Sequence, residues 1–429
     1  MLTIQQIRDQ RDLVIERLKI KNFDQPELID KIIGADNDRR SMQVKTNELQ
    51  SELNQLSKQI GLLFKQGKKE EASVARERTS DLKRELEAHQ SRMEAAAAQM
   101  NEWLVQIPNL PHPSVPPGRT EQDNRIVREG GALPDLPAEA LPHWDLGVKY
   151  RLIDFNLGVK ITGGGFPVYM GMGAKLQRAL ISFFLDRNHE AGYEEFIPPL
   201  LVNEASAFGT GQLPDKEGQM YHVTGDNLYL IPTAEVPVTN IYRDVILEAS
   251  ELPVKNTAYT PCFRREAGSY GKDVRGLNRV HQFDKVEIVQ VQHPSASYRA
   301  LEEMVDHVET LIRDLRLPYR IVQLCGGDLS FTSALTYDFE VYAAAQKKWL
   351  EVSSVSNFES YQANRLKLRF RDPDEKRPQL AHTLNGSALA LPRIMAALLE
   401  NNQTAEGIRL PEVLYRYLGE GNEIIRLNK

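Results

Sequence analysis

Cysteine is almost absent: Cys262 and Cys325 are the two among 429 residues. They supply neither a disulfide framework nor the paired spacing of a zinc site, and such sparing use suits a reducing compartment. Long apolar runs are missing too. No stretch approaches the roughly 20 residues that a membrane-crossing helix needs. The first residues, MLTIQQIRDQRDLVIERLKIKN, mix charges with apolar residues at helical spacing, unlike a signal-peptide core. These features predict a cytoplasmic protein with no membrane partner. Net charge is modest, −6 overall. That argues against coating nucleic acid indiscriminately and still allows a local basic surface. The glycine signatures of a Rossmann turn or a P-loop do not occur, so a nucleotide, if one binds, must be held by another scheme. No convincing catalytic triad is present either.

What is present reads as an ordinary soluble chain, 41% hydrophobic and 26% charged, long enough for two or three domains. Residues 1–23 predict one short helix packed on a neighbour. From Leu28 to Ile107 the pattern predicts a long helical pair. Met42, Thr46, Leu49, Leu53, Leu56, Ile60 and Leu63 step by four and three. So do Ala75, Thr79, Leu82, Leu86, His89, Met93, Ala96, Met100, Trp103 and Ile107. These are heptad seams, broken at Gln66-Gly67-Lys68-Lys69, where Gly67 can take the positive φ of a helix end. Helices of roughly 30 residues would reach about 45 Å. Between Asp38 and Arg92 stand twelve Lys or Arg and nine Asp or Glu, a net +3, with Lys58, Lys65, Lys68, Lys69, Arg76 and Arg78 near the tip. The arm reads either as a solvated oligomerisation coiled coil or as a probe touching phosphates along an RNA helix.

Pro108, Pro111, Pro113, Pro116, Pro117 and Gly118 mark a stiff linker. The expected organisation is a helical domain over 1–107, a linker over 108–120 and a second domain over 121–429. In that domain, polar connections, short strands and the turn Gly163-Gly164-Gly165 precede a helix from Ala174 to Ala191, stopped by Gly192. A strand over Tyr193–Ile197 ends at Pro198-Pro199. A turn-rich loop follows at Gly209–Pro214. Thr233 and Glu235 sit two apart between Pro232 and Pro237, as a capped helix start would place them. Then come a helix over 295–316 and strands over 318–324, 336–342 and 348–354. Asn385-Gly386 reads as a turn, and Pro392 belongs in the first turn of a helix reaching Asn402. Antiparallel strands interrupted by helices predict an α+β domain.

The most informative stretch is TPCFRREAGSYGKDVRGLNRVHQFDKVEIVQV, Thr260 to Val291. It reads as a strand ending in Phe263-Arg264-Arg265-Glu266, a basic loop from Ala267 to Arg279 and a returning strand from Val280. The loop carries Gly268, Gly271, Gly276, Lys272 and Arg275. Alternation puts Arg264 with Glu266, and His281 with Phe283, Lys285 and Glu287. So polar a face calls for a polar ligand. The bland alternative is a hairpin in which Arg264 and Glu266 merely pair with each other.

Phe-Arg-x-Glu, a variable basic loop and His-Gln-Phe-x-Lys-Val-Glu resemble motif 2 of the class II aminoacyl-tRNA synthetases, in the form found in seryl-tRNA synthetases. The helix and strand ending at Pro198 resemble motif 1. His382-Thr383-Leu384-Asn385-Gly386-Ser387 with Arg393 resembles motif 3. The likeness spans nearly the whole chain in the family's order. It implies a long antiparallel coiled-coil arm joined to a catalytic domain on an antiparallel β-sheet flanked by helices. It also implies an ATP-dependent serine–tRNA ligase and a homodimer. Its partners would be L-serine, tRNA(Ser) and, where the cell has one, tRNA(Sec). The resemblance would have Arg264 hold the α-phosphate, Glu266 accept from the adenine amino group and Phe283 stack on the adenine. Arg393 would grip the terminal phosphates. Arg265, Val280, His281, Gln282, Val352 and Ser353 complete the implied ATP site. Glu351 and Ser354 would hold Mg²⁺, whose preference is for hard oxygen ligands. The implied serine site comprises Thr233, Ala234, Glu235, Arg264, Glu287, Asn385 and Ser387. Three departures from the family pattern, Gly165, Leu335 and Tyr342, fall on none of these. A ligase loading a carrier protein, or an RNA-binding scaffold with a dead catalytic domain, would be alternatives. A basic arm argues against the first, and the intact set of polar site residues against the second.

Overall fold

The computed structural model describes residues 1–215, 217–267 and 275–427. The chain divides into two units. One holds Met1–Lys19 and Phe23–Leu110, the other Ile20–Asn22 and Pro111–Lys429.

The first unit is helical. Residues 1–23 form two helices rather than one, α1 (Ile4–Asp9) and α2 (Arg11–Ile20). Thr3 caps the first, its hydroxyl accepting from the Gln6 amide at 3.1 Å. The long pair is α3 (Glu27–Lys65) and α4 (Lys69–Leu104), 39 and 36 residues, so about 55 Å each. They exceed the expected length because each begins upstream of its seam, α4 at Lys69 and α3 at Glu27. There Leu28, Ile29 and Ile32 are buried, and Asp36 accepts from Arg8 at 3.0 Å and Arg39 at 2.7 Å. Along both helices the seam positions are the ones turned inward. Leu63, Leu82 and Met100 are buried, Leu49, Leu53, Leu56, Leu86 and Met93 half-buried, and their flanks exposed. Gly67 takes φ +75° at the tip.

The second unit is built on an eight-stranded sheet. Its strands in chain order are β1 (Arg125–Gly130), β2 (Glu194–Glu195), β3 (Val254–Phe263), β4 (Gln282–Gln292), β5 (Tyr319–Gln323), β6 (Leu335–Ala343), β7 (Lys348–Glu359) and β8 (His382–Ala390). Their spatial order is β1-β5-β6-β7-β8-β4-β3-β2. Every pairing is antiparallel except β2 with β3. Helices α5 (His143–Lys149), α6 (Phe155–Ile161), α7 (Gly171–Glu190), α8 (Glu204–Thr210), α9 (Glu235–Asn240), α10 (Ser297–Asp314), α11 (Ser360–Leu366) and α12 (Leu391–Asn401) surround it. Alternation along the strands sorts the two faces. Val286, Ile288, Phe339, Val355 and Leu384 join Phe183, Phe184, Met304, Val308 and Leu398 of α7, α10 and α12 in the main core. Lys285, Glu287, Asp338, Ser354, Asn385 and Ser387 occupy the alternate positions of the same strands. Among the described residues, no helix is long and apolar enough to cross a membrane.

Two local expectations are corrected. Asn385-Gly386 is no turn but the middle of β8, paired with Val289 and Ile288 on one side and Ser356 and Val355 on the other. Packing overrides the turn preference. A Cβ on Gly386 would lie 3.1 Å from Val355 and 3.3 Å from Met304. The expected Tyr193–Ile197 strand shrinks to Glu194–Glu195, which pair with Asn256 and Thr257 of β3; beyond them the Phe196 amide adds one bond to the Thr257 carbonyl at 2.8 Å.

Candidate functional site

The site lies on the polar face of β4, β8 and β7, and begins where β3 stops. Arg264, Arg265 and Glu266 fall beyond the end of β3 at Phe263, so strand alternation does not aim them. Instead the Arg264 amide donates to the His281 carbonyl at 2.9 Å and the Arg265 amide to the Gln219 carbonyl at 2.9 Å. Glu266 takes φ +50°, and its carboxylate accepts from Arg279 at 2.5 Å. The partner of Glu266 is therefore Arg279 on the returning limb, not Arg264. The Arg264 guanidinium lies over the Phe283 ring, 5.2 Å from its centroid, and its Nε donates to the Pro232 carbonyl at 3.4 Å. Gly268, Gly271 and Lys272 lie outside the described residues, and Arg275 lies over Trp144 at 4.6 Å.

His281 is held on three sides. Its amide donates to Gly165 at 2.8 Å, its ring stacks on Phe166 at 5.3 Å, and Tyr221 Oη lies 3.1 Å from Nδ1. Gly165 stands at φ +79°, and a Cβ there would meet the His281 ring at 2.4 Å. Val280 is buried and Gln282 exposed. Leu335, another departure from the family pattern, is a buried core residue of β6, where a charged side chain would be costly. Tyr342 packs on Trp349 at 5.2 Å.

Next to Arg264 is a buried charged pocket. Thr233, Ala234, Glu235, Lys285, Glu287 and Ser387 are all buried. Thr233 accepts from the Glu235 amide at 3.2 Å and donates to Glu287 at 3.1 Å, so it both starts α9 and faces the pocket. Glu287 also accepts from Asn385 at 3.2 Å and pairs with Lys285 at 2.5 Å. Glu235 accepts from Gln362 at 2.7 Å. Burial, then the charge of Glu287, pushes the Glu235 carboxyl up to about 7. Burial also raises Glu287, with Lys285 opposing. Two buried acids thus have one lysine among them and the charge of Arg264 beside them; with Arg264 engaged by an anion, the remaining carboxylate suits a bound ammonium group. Gln362 carries no sequence signal, although it accepts from the Thr383 hydroxyl at 2.8 Å and holds Glu235. It sits on α11, far from every motif, and only the fold brings it in.

At the other end, Arg393 in the first turn of α12 donates from Nε to the Asn278 carbonyl at 2.9 Å and from Nη1 to the Glu351 carbonyl at 2.7 Å. A cavity of about 540 Å³ opens there, its wall including Arg279, Asp338, Glu351, Ser354 and Arg393. That is within the range of small-molecule sites. Val352 and Ser353 do not turn side chains towards it. Val352 belongs to the core, and the Ser353 hydroxyl is spent on the Ser387 carbonyl at 2.6 Å. Asp338 Oδ1 is buried without a hydrogen-bond partner. Burial and the neighbouring Glu351 raise its carboxyl well above the usual range. Among the described residues no three His, Cys, Asp or Glu side chains could hold a metal by themselves. Glu351, Ser354 and the orphaned oxygen of Asp338 are hard donors, so they fit Mg²⁺ that takes its remaining ligands from phosphate and water.

Two family models match the chain. "Seryl-tRNA synthetase N-terminal domain" covers residues 1–111, and "tRNA synthetase class II core domain (G, H, P, S and T)" covers residues 221–402. The chain is 50% identical to the serine–tRNA ligase of Salinibacter ruber over 420 residues, 98% of each chain. It is 46% identical to that of Hahella chejuensis over 99% of each. Its structure resembles the seryl-tRNA synthetase of Pyrococcus horikoshii complexed with ATP, with TM-score 0.93, 33% identity and full coverage of both chains. It also resembles the cytoplasmic serine–tRNA ligase of Naegleria fowleri in complex with AMP, with TM-score 0.88, 26% identity and coverage of 100% and 99%.

Proposed function

The chain belongs to the seryl-tRNA synthetases, ATP-dependent serine–tRNA ligases, and from that premise we propose how its residues divide the reaction. In the first step a carboxylate oxygen of L-serine attacks the α-phosphorus of ATP. The bond to the bridging oxygen breaks, and pyrophosphate leaves with the electron pair. Serine brings its own nucleophile, so the protein supplies alignment and charge rather than a general base.

Arg264, already over Phe283, binds the α-phosphate as its negative charge shifts. Phe283 stacks on the adenine, and Glu266, steadied by Arg279, accepts from the adenine amino group. His281, Val280, Gln282 and Arg265 line the base and ribose. Arg393 takes the terminal phosphates. Glu351 and Ser354 would hold Mg²⁺, which would supply counter-charge to the phosphates. Val352 and Ser353 contribute backbone. The serine ammonium enters the acidic surplus of Glu235 and Glu287. Thr233, Glu287, Asn385 and Ser387 offer hydrogen bonds to the substrate's hydroxyl, with Ala234 closing the wall. Alanine would leave some of these buried groups unpaired, a costly state that favours serine. In the second step the 3′-hydroxyl of the tRNA attacks the seryl carbonyl carbon and AMP leaves. The loop from Ala267 to Arg279 meets the acceptor end and the helical arm grips the tRNA(Ser) body. tRNA(Sec) is a second substrate where the cell makes one.

The observation that carries this reading is the buried Glu235–Glu287–Lys285 pocket beside Arg264. A pocket with a carboxylate to spare has little use in a scaffold. We further propose a cytoplasmic homodimer formed around α7 and the segment after it, where Ile197 is 91% exposed and Leu201 41%. The test of the catalytic reading is ATP–pyrophosphate exchange across a panel of amino acids. Exchange that depends on serine, and not on alanine or threonine, is expected. No serine-dependent exchange would refute the reading.

A further inference from the structure

His143 and Glu400 lie outside every motif described above, yet both are fully buried. Glu400, in the last turn of α12, accepts at Oε1 from the His143 amide at 3.0 Å and from the Gln346 side-chain amide at 2.7 Å. Its Oε2 accepts from the Gln346 backbone amide at 3.1 Å. His143 Nδ1 lies 2.8 Å from the same Oε1, and Nε2 accepts from the Leu277 amide at 2.8 Å. An amide N–H can only donate, so Nε2 is bare and the proton sits on Nδ1, pointing at the carboxylate. A third thread closes the circuit. The Asn278 side chain donates to Gln346 Oε1 at 2.7 Å, while the Asn278 carbonyl accepts from Arg393 Nε at 2.9 Å. Gly276, at φ +67°, keeps the space open, since a Cβ there would lie 2.3 Å from His143 Nε2.

The backbone at Leu277-Asn278 is therefore fixed through its N–H, its C=O and one side chain. All three ties lead to α12, two to its last turn and one to its first. We infer that His143, Glu400 and Gln346 are positioning residues. They clamp the returning limb of the Ala267–Arg279 loop and, through the Asn278 carbonyl, aim the Arg393 guanidinium at the ATP phosphates. The clamp makes one rigid body of the limb and the arginine. Displacement of the limb thereby displaces the phosphate-gripping group. A shift of about 1 Å in such a group costs up to a hundredfold in rate.

The inference rests on the proposed role of Arg393, so its test contains that residue. ATP and serine KM are measured by pyrophosphate exchange for Gln346→Ala, His143→Ala, Arg393→Ala and the double variants. Gln346 is only partly buried, so its variant remains readable should His143→Ala fold poorly. Gln346→Ala is expected to raise the ATP KM about tenfold, with serine KM within about twofold, and His143→Ala to do so more strongly. In the Arg393→Ala background neither change should raise the ATP KM further, because the route runs through that side chain. A merely structural role would lower the melting temperature and add its cost equally in both backgrounds, and that result overturns the clamp. So does an unmoved ATP KM in Gln346→Ala. An unmoved ATP KM in Arg393→Ala instead overturns the phosphate role of Arg393, and the clamp's route with it.

Discussion

A buried carboxylate raised to about 7 makes the serine pocket proposed above a pH-dependent one. The ammonium of the amino acid needs Glu235 as an anion, and the ionised fraction grows as pH rises through about 7. Serine KM in pyrophosphate exchange is therefore expected to fall between about pH 6 and pH 7.5, and serine binding at the lower pH to release a proton, measurable by calorimetry in buffers of different ionisation enthalpy. Stability has the opposite sign. The carboxyl titrates near about 4.3 in the unfolded chain and near 7 in the empty pocket, so its contribution is full below the first value and lost as pH rises through the second. The melting temperature of the empty protein should decline over that window and recover on adding serine. Glu235→Gln should flatten both profiles. Arg264 offers a sharper test. Its guanidinium rests on Phe283 and a weak 3.4 Å bond to Pro232, so little of the fold depends on it. Arg264→Ala should cut exchange by about a hundredfold or more with an unchanged melting temperature. Near-normal exchange would remove its assignment to the α-phosphate.

The elements were legible in the sequence to the extent that their periodicity was local. The seam from Met42 to Met100 names most of the inward side chains of α3 and α4, Ala72 being the fully buried exception, because a helical hairpin buries chiefly what its own spacing brings together. The polar face of β4 is equally visible, since Phe283, Lys285 and Glu287 are two apart. What escaped depends on distant packing. Asn385-Gly386 has the chemistry of a turn, yet β4 and β7 flank it on both sides and fill the space a Cβ would need. Gln362, His143 and Glu400 carry no local signal, and only the chain's path brings them to the motifs. The Gly386 finding predicts that Gly386→Val destabilises the catalytic unit by about 1–3 kcal/mol through overpacking, read as a lowered denaturation midpoint. A wild-type midpoint would mean that Val355, Met304 and Ile288 can yield.

At the scale of the whole molecule, the two units face different physical tasks. Every residue proposed to hold ATP or serine lies in the catalytic unit, between Thr233 and Arg393. The helical unit has no such pocket chemistry, but exposes Lys58, Lys65, Lys68, Lys69, Arg76 and Arg78 around its tip. Several already have acidic neighbours, such as Arg78 with Glu52 at 3.1 Å and Lys68 with Glu71 at 3.1 Å. Exposed pairs of this kind contribute little to stability, so a phosphate can displace the acid at small cost. In the proposed grip on tRNA each phosphate contact would release counter-ions and make the association steeply salt-dependent. The two half-reactions should therefore separate. Replacing residues 42–96 with a short turn should leave serine-dependent pyrophosphate exchange intact and abolish tRNA charging. In the intact protein, raising salt from about 50 to 200 mM should raise the tRNA KM many-fold while exchange changes little. Neutralising Lys65, Lys68 and Lys69 together should flatten that salt slope without touching exchange. Charging that survives the deletion would leave the arm without a role in tRNA binding and return it to a coiled coil that serves assembly alone.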